Sequence, residues 1–212
     1  MKYMKTLSVL ATGVALVTSA HAQGNLVNNG SFELNNSHSG WTLAGGLLNL
    51  AGAGSGVQCA DGHNAIGLFW QSSIYQDVPT QVGQQYSFSF YMAQLVPDGL
   101  NGNVVSLTPI FGSASLRTVS FDGAGKTSQN MGWVKVEYTV TATSDSSRIT
   151  FFNPGPFIVD SRWPMIDNVW LTQVPEPSLA VLLGLGAVFL VRYQGRTSER
   201  LRTSNRPAGP LG

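Results

Sequence analysis

The sequence predicts an all-β fold, an antiparallel β-sandwich (jelly roll), for residues 23–173. In this region apolar and polar residues alternate along several short segments, and clusters of Gly, Pro, Asn, Asp and Ser separate the segments. Alternation gives a strand one apolar and one polar face, as in antiparallel sheets that bury one side. The same region lacks the apolar periodicity of a helix. Together these observations favour a sandwich with many turns.

Two segments show the alternation most clearly. In the first, large apolar side chains oppose serines: Tyr86, Phe88, Phe90 and Met92 against Ser87 and Ser89. In the second, apolar side chains oppose charged and hydroxyl ones: Val134, Val136, Tyr138 and Val140 against Lys135, Glu137 and Thr139. Shorter pieces alternate at 74–78, 149–151 and 169–171. Turn signals separate these strands at 79–83, 97–99, 122–123, 144–147 and 154–156.

The first 22 residues have the three-part pattern of a secretory signal peptide. Two lysines precede an apolar centre at 7–17, and small residues flank the predicted cleavage site, Ala20 and Ala22. The alternative, an N-terminal core helix, does not account for this order of segments. We therefore expect an exported protein whose mature chain begins at Gln23.

A proline-rich motif opens the C-terminal region: Val174, Pro175, Glu176 and Pro177. An uncharged apolar run follows at 178–191, and Arg192 begins a tail that holds further arginines. Two prolines around a glutamate give a stiff, exposed peptide. Arginines behind an apolar helix hold that end on the cytoplasmic side of a membrane.

This order of motif, apolar helix and arginines resembles the PEP-CTERM sorting signal of Gram-negative bacteria. The resemblance implies a motif and transmembrane helix at 174–193, a basic tail at 194–212, and an exosortase as partner. It also implies an inner-membrane anchor before sorting, and later a place at the cell surface or in an extracellular matrix, with exopolysaccharide or biofilm. The alternative is a buried C-terminal helix of a soluble domain.

The exported region is mildly acidic. Residues 23–177 hold five lysines and arginines against ten carboxylates, which argues against nucleic acid or an anionic membrane surface as partner. Cys59 is the single cysteine, so no disulfide forms within the chain and we expect a plain thiol.

Short motifs run through the predicted sandwich in a characteristic order. Asn-Gly-Ser-Phe-Glu lies at 29–33, Gly-Trp at 40–41 and 132–133, and Ile-Asp-Asn-Val at 166–169. This order resembles the galactose-binding-like jelly rolls, in particular families near the carbohydrate-binding modules, over residues 24–173. The resemblance implies the jelly-roll fold, which by itself does not determine a function.

Two acidic residues lie near the ends of the predicted domain, Glu33 and Asp167. The first and last strands of a jelly roll are commonly neighbours, so these carboxylates could meet. In the resembling modules this corner holds a structural Ca²⁺. Calcium prefers six to eight oxygens, and carbonyls of the Gly-rich loop after Asn49 would complete the set. The alternative is that Asp167 caps a turn and Glu33 is solvated.

Three aromatic residues lie beside loop signals and are the predicted carbohydrate-binding residues: Trp70, Tyr75 and Trp163. An exposed aromatic plane stacks on a sugar ring, and polar side chains beside it bind hydroxyls. The alternative is that each partly covers a loop. The remaining tryptophans are assigned to the core: Trp41, Trp133 and Trp170.

The sequence lacks a catalytic signature. The acids are scattered singly, His38 and His63 have no metal-ligand spacing, and no Gly-x-Ser-x-Gly motif is present. We therefore expect no enzyme but a module that associates with extracellular polysaccharide. A structural surface or matrix protein without a small ligand is the first alternative, and a polysaccharide hydrolase is the second.

Overall fold

The computed structural model describes residues 24–36, 38–45, 48–51, 56–97, 99–156 and 162–175. The predicted signal peptide, the end of the proline-rich motif, the apolar run and the basic tail lie outside these residues. Within the described ranges, no helix has the length and hydropathy that a bilayer span requires.

Eleven strands form two sheets in the described residues. In chain order they are β1 (Thr42–Ala44), β2 (Leu48–Ala51), β3 (Ala65–Leu68), β4 (Ser73–Pro79), β5 (Gln85–Gln94), β6 (Val104–Phe111), β7 (Ala114–Ser115), β8 (Val119–Asp122), β9 (Val134–Thr141), β10 (Ser146–Phe152) and β11 (Pro164–Gln173). A 3₁₀ turn at Leu34–Asn36 is the one helical element among them.

Both sheets are antiparallel. One has the order β1-β4-β10-β6-β7, with β8 also paired to β6, and the other has the order β2-β3-β11-β5-β9. All strand pairs described are antiparallel. The predicted all-β antiparallel sandwich is therefore confirmed for the described part of the chain.

The predicted apolar face of β5 is buried, whereas in β9 Val140 is buried, Val136 and Tyr138 are half-buried, and Val134 is 52% exposed. Phe88 and Phe90 of β5 are fully buried, and they lie opposite Tyr138 and Val136 of β9. Phe151 of β10 meets Phe90 edge to face, with 4.8 Å between ring centroids. The core thus forms where the apolar faces of the two sheets meet, as packing of amphipathic sheets requires.

The N-terminal segment lies along β11, the last strand. The Leu26 N–H donates to the Leu171 carbonyl at 2.9 Å, and the Val169 N–H donates to the Gly30 carbonyl at 2.9 Å. A Cβ on Gly30 would lie 2.0 Å from the Val169 oxygen, so this approach requires glycine. The two ends of the domain are therefore adjacent, as a jelly roll implies.

The tryptophans assigned to the core have three different environments. Trp41 is buried and packs against Phe32 and Phe151. Trp133 is half-buried, and its indole N–H donates to the Gln58 carbonyl at 3.0 Å. Trp170 is 45% exposed, so its assignment to the core is wrong. Its neighbours Val169 and Leu171 take the buried face of β11, which directs Trp170 to the outer face.

Candidate functional site

Glu33 binds a loop rather than standing in solvent. Its Oε1 accepts hydrogen bonds from the main-chain N–H groups of His63 and Asn64, both at 2.6 Å. Its Oε2 accepts one from the Asn64 side-chain amide at 3.0 Å. Gly62 has φ 60°, and a Cβ there would lie 2.5 Å from Oε1. Glycine at this position therefore lets the carboxylate reach the loop.

Asp167 binds the other end of the same loop. Its Oδ2 accepts hydrogen bonds from the N–H groups of Ala60 and Asp61, both at 2.9 Å. Its Oδ1 accepts one from the Asn168 N–H at 2.6 Å. The side chain is fully buried, and this desolvation raises its pKa from the usual 3.8 to about 7, although the three N–H groups act in the opposite direction.

Glu33 and Asp167 therefore act as a clamp on the loop at 59–64. Each of their four oxygens already accepts an N–H group, so the clamp needs no ion to hold the loop. Within the described ranges, no three His, Cys, Asp or Glu side chains form a group suited to a metal. The Gly-rich loop expected to supply carbonyl oxygens lies partly outside the described residues. Calcium at Glu33 and Asp167 stays a prediction.

Cys59 begins the clamped loop. Burial, and after it the charges of Asp167 and Glu33, together raise the pKa of its thiol to about 11. At neutral pH the group is therefore the protonated thiol, which is a poor nucleophile and a poor metal ligand.

The three predicted sugar-binding aromatics differ in exposure. Trp70 follows β3 and is 42% exposed. Tyr75 of β4 is half-buried, and the Arg148 guanidinium lies 4.0 Å above its ring centroid. Trp163 is 8% exposed and packs against Phe69, with 3.7 Å between ring centroids. The exposure on which the Trp163 assignment rests is therefore not found, because the ring fills space beneath the β3–β4 connection.

A groove lies between β8 and β9, at an edge of the sandwich where one strand of each sheet faces the other. Its volume is about 690 Å³, within the range of roughly 300–1,000 Å³ typical of ligand sites. One wall is the segment 117–122, the other is 132–138, and Lys126 lies between them in sequence. The groove contains aromatic, hydroxyl and charged side chains together.

Two contacts shape the ends of this β8–β9 groove. The Tyr138 hydroxyl donates to the Arg117 carbonyl at 2.7 Å, joining the two walls. At the other end Gly132 has φ 65°, and a Cβ there would lie 2.8 Å from Cε and Nζ of Lys126. Gly132 thus leaves the space that the Lys126 side chain occupies.

A charged pair lies at the rim of the β8–β9 groove, on the exposed face of β9. The Lys135 ammonium lies 3.0 Å from the Glu137 carboxylate, which also accepts the Ser87 hydroxyl at 3.0 Å. The hydrogen bond from Lys135, followed by that from Ser87, lowers the pKa of Glu137. Glu137 is therefore an anion held by two donors and is unsuited to act as a general acid.

Sequence reasoning did not find this groove. Arg117, Lys126 and Tyr138 belong to different elements, and pairing of β5 with β9 and of β6 with β8 brings these elements to the same edge. The available signal was the clustering of three of the five basic residues within 117–135.

Residues 19–172 match the family model described as "Protein of unknown function (DUF642)". The chain belongs to the DUF642 family. No curated protein matches this DUF642 chain.

Several solved structures are similar to the DUF642 domain. TmCBM61, solved in complex with β-1,4-galactotriose, matches 72% of this chain and 100% of its own, with 19% identity and a TM-score of 0.52. A CBM4 structure matches over 70% and 99%, with 15% identity and a TM-score of 0.43. A CBM35 from Paenibacillus barcinonensis matches over 63% and 92%, with 13% identity and a TM-score of 0.43. At such identity the likeness to TmCBM61 shows a shared fold, the jelly roll that the motif order implies.

Proposed function

We propose that this DUF642 domain is a non-catalytic carbohydrate-binding module and that its glycan lies in the β8–β9 groove. The observation that carries the proposal is the groove itself, about 690 Å³ with Tyr138 beside hydroxyl and charged side chains. A sugar presents apolar ring faces and many hydroxyls, so it needs this mixture of partners. The shared fold with TmCBM61, which was solved with a galactotriose, supports the proposal.

The carboxylates of the groove support binding without catalysis. A glycosidase needs two facing carboxyl groups, one of them with a raised pKa to donate a proton. In the groove, Glu137 has a lowered pKa, and Asp122 accepts a hydrogen bond from the Ala124 N–H at 2.9 Å. Glu137 is therefore not a proton donor near neutral pH, and we propose that the domain retains glycans without cleaving them.

A variant that fills the groove tests the proposal. Val134 of β9 is 52% exposed and lines the groove on the same face of the strand as Val136 and Tyr138, so Val134→Trp should abolish glycan binding while the domain stays folded. Thr139→Trp is the matched control, because Thr139 is exposed on the opposite face of the same strand and is not part of the groove lining. Binding of the purified full chain is measured on a glycan array and by calorimetry.

Three results would count against this function. Equal glycan binding by the Val134→Trp and wild-type chains would show that the glycan does not lie in the groove. A folded wild-type chain that binds no glycan would favour the alternative of a structural surface or matrix protein. Release of reducing ends from a bound polysaccharide would show the hydrolase.

We also propose that the chain is exported, anchored in the inner membrane and sorted by an exosortase to the cell surface or matrix. This localisation is supported by the signal-peptide pattern at 1–22. It is also supported by the motif, apolar run and arginines at 174–212. Deleting residues 174–212 should release a soluble domain from membranes. Identical fractionation of the truncated and full chains would contradict the anchor.

A further inference from the structure

The basic side chains of the domain are concentrated at the β8–β9 groove. Residues 24–175 contain five lysines and arginines against nine acids, so the domain as a whole is acidic. Three of the five bases line the groove: Arg117, Lys126 and Lys135. The other two are engaged elsewhere. Arg148 pairs with Asp77 through two hydrogen bonds of 2.8 Å, and Arg162 donates to the Asn101 carbonyl at 2.9 Å.

Two of the three groove bases have no acidic partner within the described part of the chain. Lys135 pairs with Glu137, and the other described salt bridge joins Arg148 to Asp77. Arg117 and Lys126 form neither of these pairs. Asp122, the second acid of the groove, accepts the Ala124 N–H. The groove therefore carries a surplus of positive charge on a domain whose net charge is negative, and such a local field attracts anions.

The two unpaired bases lie toward opposite ends of the groove. Arg117 is joined to Tyr138 through its carbonyl, and the Lys126 side chain lies over Gly132. Gly132 precedes β9 by two positions, and the strand from Val134 to Tyr138 alone spans about 13 Å at the usual rise per residue. A linear chain with repeated negative groups can reach both bases, whereas a single small anion cannot.

We propose that the groove selects acidic polysaccharide chains, those with carboxylate or sulfate groups on the sugars, over neutral ones. This inference rests on the proposed function, because it names the class of glycan that the same groove takes. Arg117 supplies a planar fork that matches a carboxylate or sulfate, and Lys126 supplies a point charge. Tyr138 and the wall hydroxyls then contact the uncharged part of the sugar.

The test compares glycans that differ in charge alone. The purified full chain is titrated with a uronate oligosaccharide, with its fully methyl-esterified form, and with a sulfated oligosaccharide. We expect the uronate to bind about three- to tenfold tighter than its ester, since exposed ion pairs each contribute modestly. The preference should shrink at high salt, because exposed charges are screened.

Variants locate the selecting charges. Arg117→Gln with Lys126→Gln should lower uronate affinity to that of the ester and leave ester affinity unchanged. Arg148→Gln removes one positive charge outside the groove and is the matched control for the single variants Arg117→Gln and Lys126→Gln. All variants are checked for wild-type melting before titration, and the single variants replace the double variant if it unfolds.

Each outcome has a definite meaning. If the ester binds as tightly as the uronate, the charge inference is wrong and the proposed function stands. Failure of the esterified and acidic oligosaccharides alike to bind contradicts the proposed function. If Arg148→Gln loses the preference for the uronate over its ester and the double variant keeps it, the selecting charges lie outside the groove. If single-stranded DNA binds as tightly as the uronate, the groove selects polyanions rather than acidic saccharides.

Discussion

Asp167 is the most unusual residue of the domain, because it is a fully buried carboxylate whose partners are N–H groups. Burial raises the pKa of this carboxyl group from the usual 3.8 to about 7 when no cation is bound. The folded state then binds a proton more tightly than the unfolded chain does. The free energy of unfolding should therefore fall as pH rises through this window, from about 4 to about 7.

Asp167→Asn should remove this part of the pH dependence. Urea unfolding of the full chain at about pH 5 and about pH 8 measures it, always with a chelator present. Asp77→Asn is the control: Asp77 is exposed, and its hydrogen bond with Arg148 lowers its pKa, so its titration acts in the opposite direction. A wild-type chain that gains stability over this window would contradict the assignment.

Calcium at Glu33 and Asp167 is tested by its removal. A cation that binds the folded state alone stabilises that state, increasingly so as its free concentration rises. We expect the wild-type melting temperature to rise with calcium, to rise less with magnesium, and to be insensitive to both ions in Asp167→Asn. Identical melting curves in calcium and in chelator would contradict the metal and leave the hydrogen-bonded clamp.

Among the single elements, strand β11 is irregular next to Asp167, the residue that holds the loop at 59–64. Its pairing with β5 shifts register between Asp167 and Trp170, and Asn168 has φ 47° within the shift. This irregularity places the Asp167 carboxylate against the loop at 59–64. Asparagine tolerates the left-handed region better than other residues with a Cβ, and β-branched residues tolerate it poorly.

Asn168→Val should therefore destabilise the domain by about 1–2 kcal/mol, the usual cost of the left-handed conformation. Asn168→Gly keeps that conformation accessible and should leave stability close to the wild type. Urea unfolding of both variants measures the difference. Equal stability of the valine and glycine variants would show that the local backbone conformation is not what constrains this residue.

Sequence patterns succeeded where local chemistry decides structure. The alternation in β5 predicts which large apolar side chains are buried, because burial of one face imposes a period of two, whereas in the edge strand β9 Val134 of the apolar face is exposed. The assignment of Trp170 to the core was wrong because it followed the residue type rather than the alternation with Val169 and Leu171. Trp163 was expected to be exposed because nearby polar residues and a proline indicated a loop, whereas packing on Phe69 buries its ring.

At the scale of the whole molecule, function depends on contacts between distant residues. Asp167 accepts hydrogen bonds from the N–H groups of Ala60 and Asp61, which lie 107 and 106 positions before it in the sequence. The motif order suggested that Glu33 and Asp167 share a corner, but no local pattern shows that N–H groups fill it. The β8–β9 groove likewise exists only after two sheets have formed, so the clustering of three bases within 117–135 did not show that they share a site with Tyr138.

One measurement tests most directly the central claim that a glycan lies in the β8–β9 groove. Backbone amide signals of the full chain are followed by NMR during titration with an oligosaccharide found to bind. A glycan bound in the groove should shift the signals of 117–122 and 132–138. The signals of Trp70, Tyr75 and the loop at 59–64 should stay unchanged. Shifts confined to the surroundings of Trp70 and Tyr75 would contradict it and return the binding site to those aromatic residues.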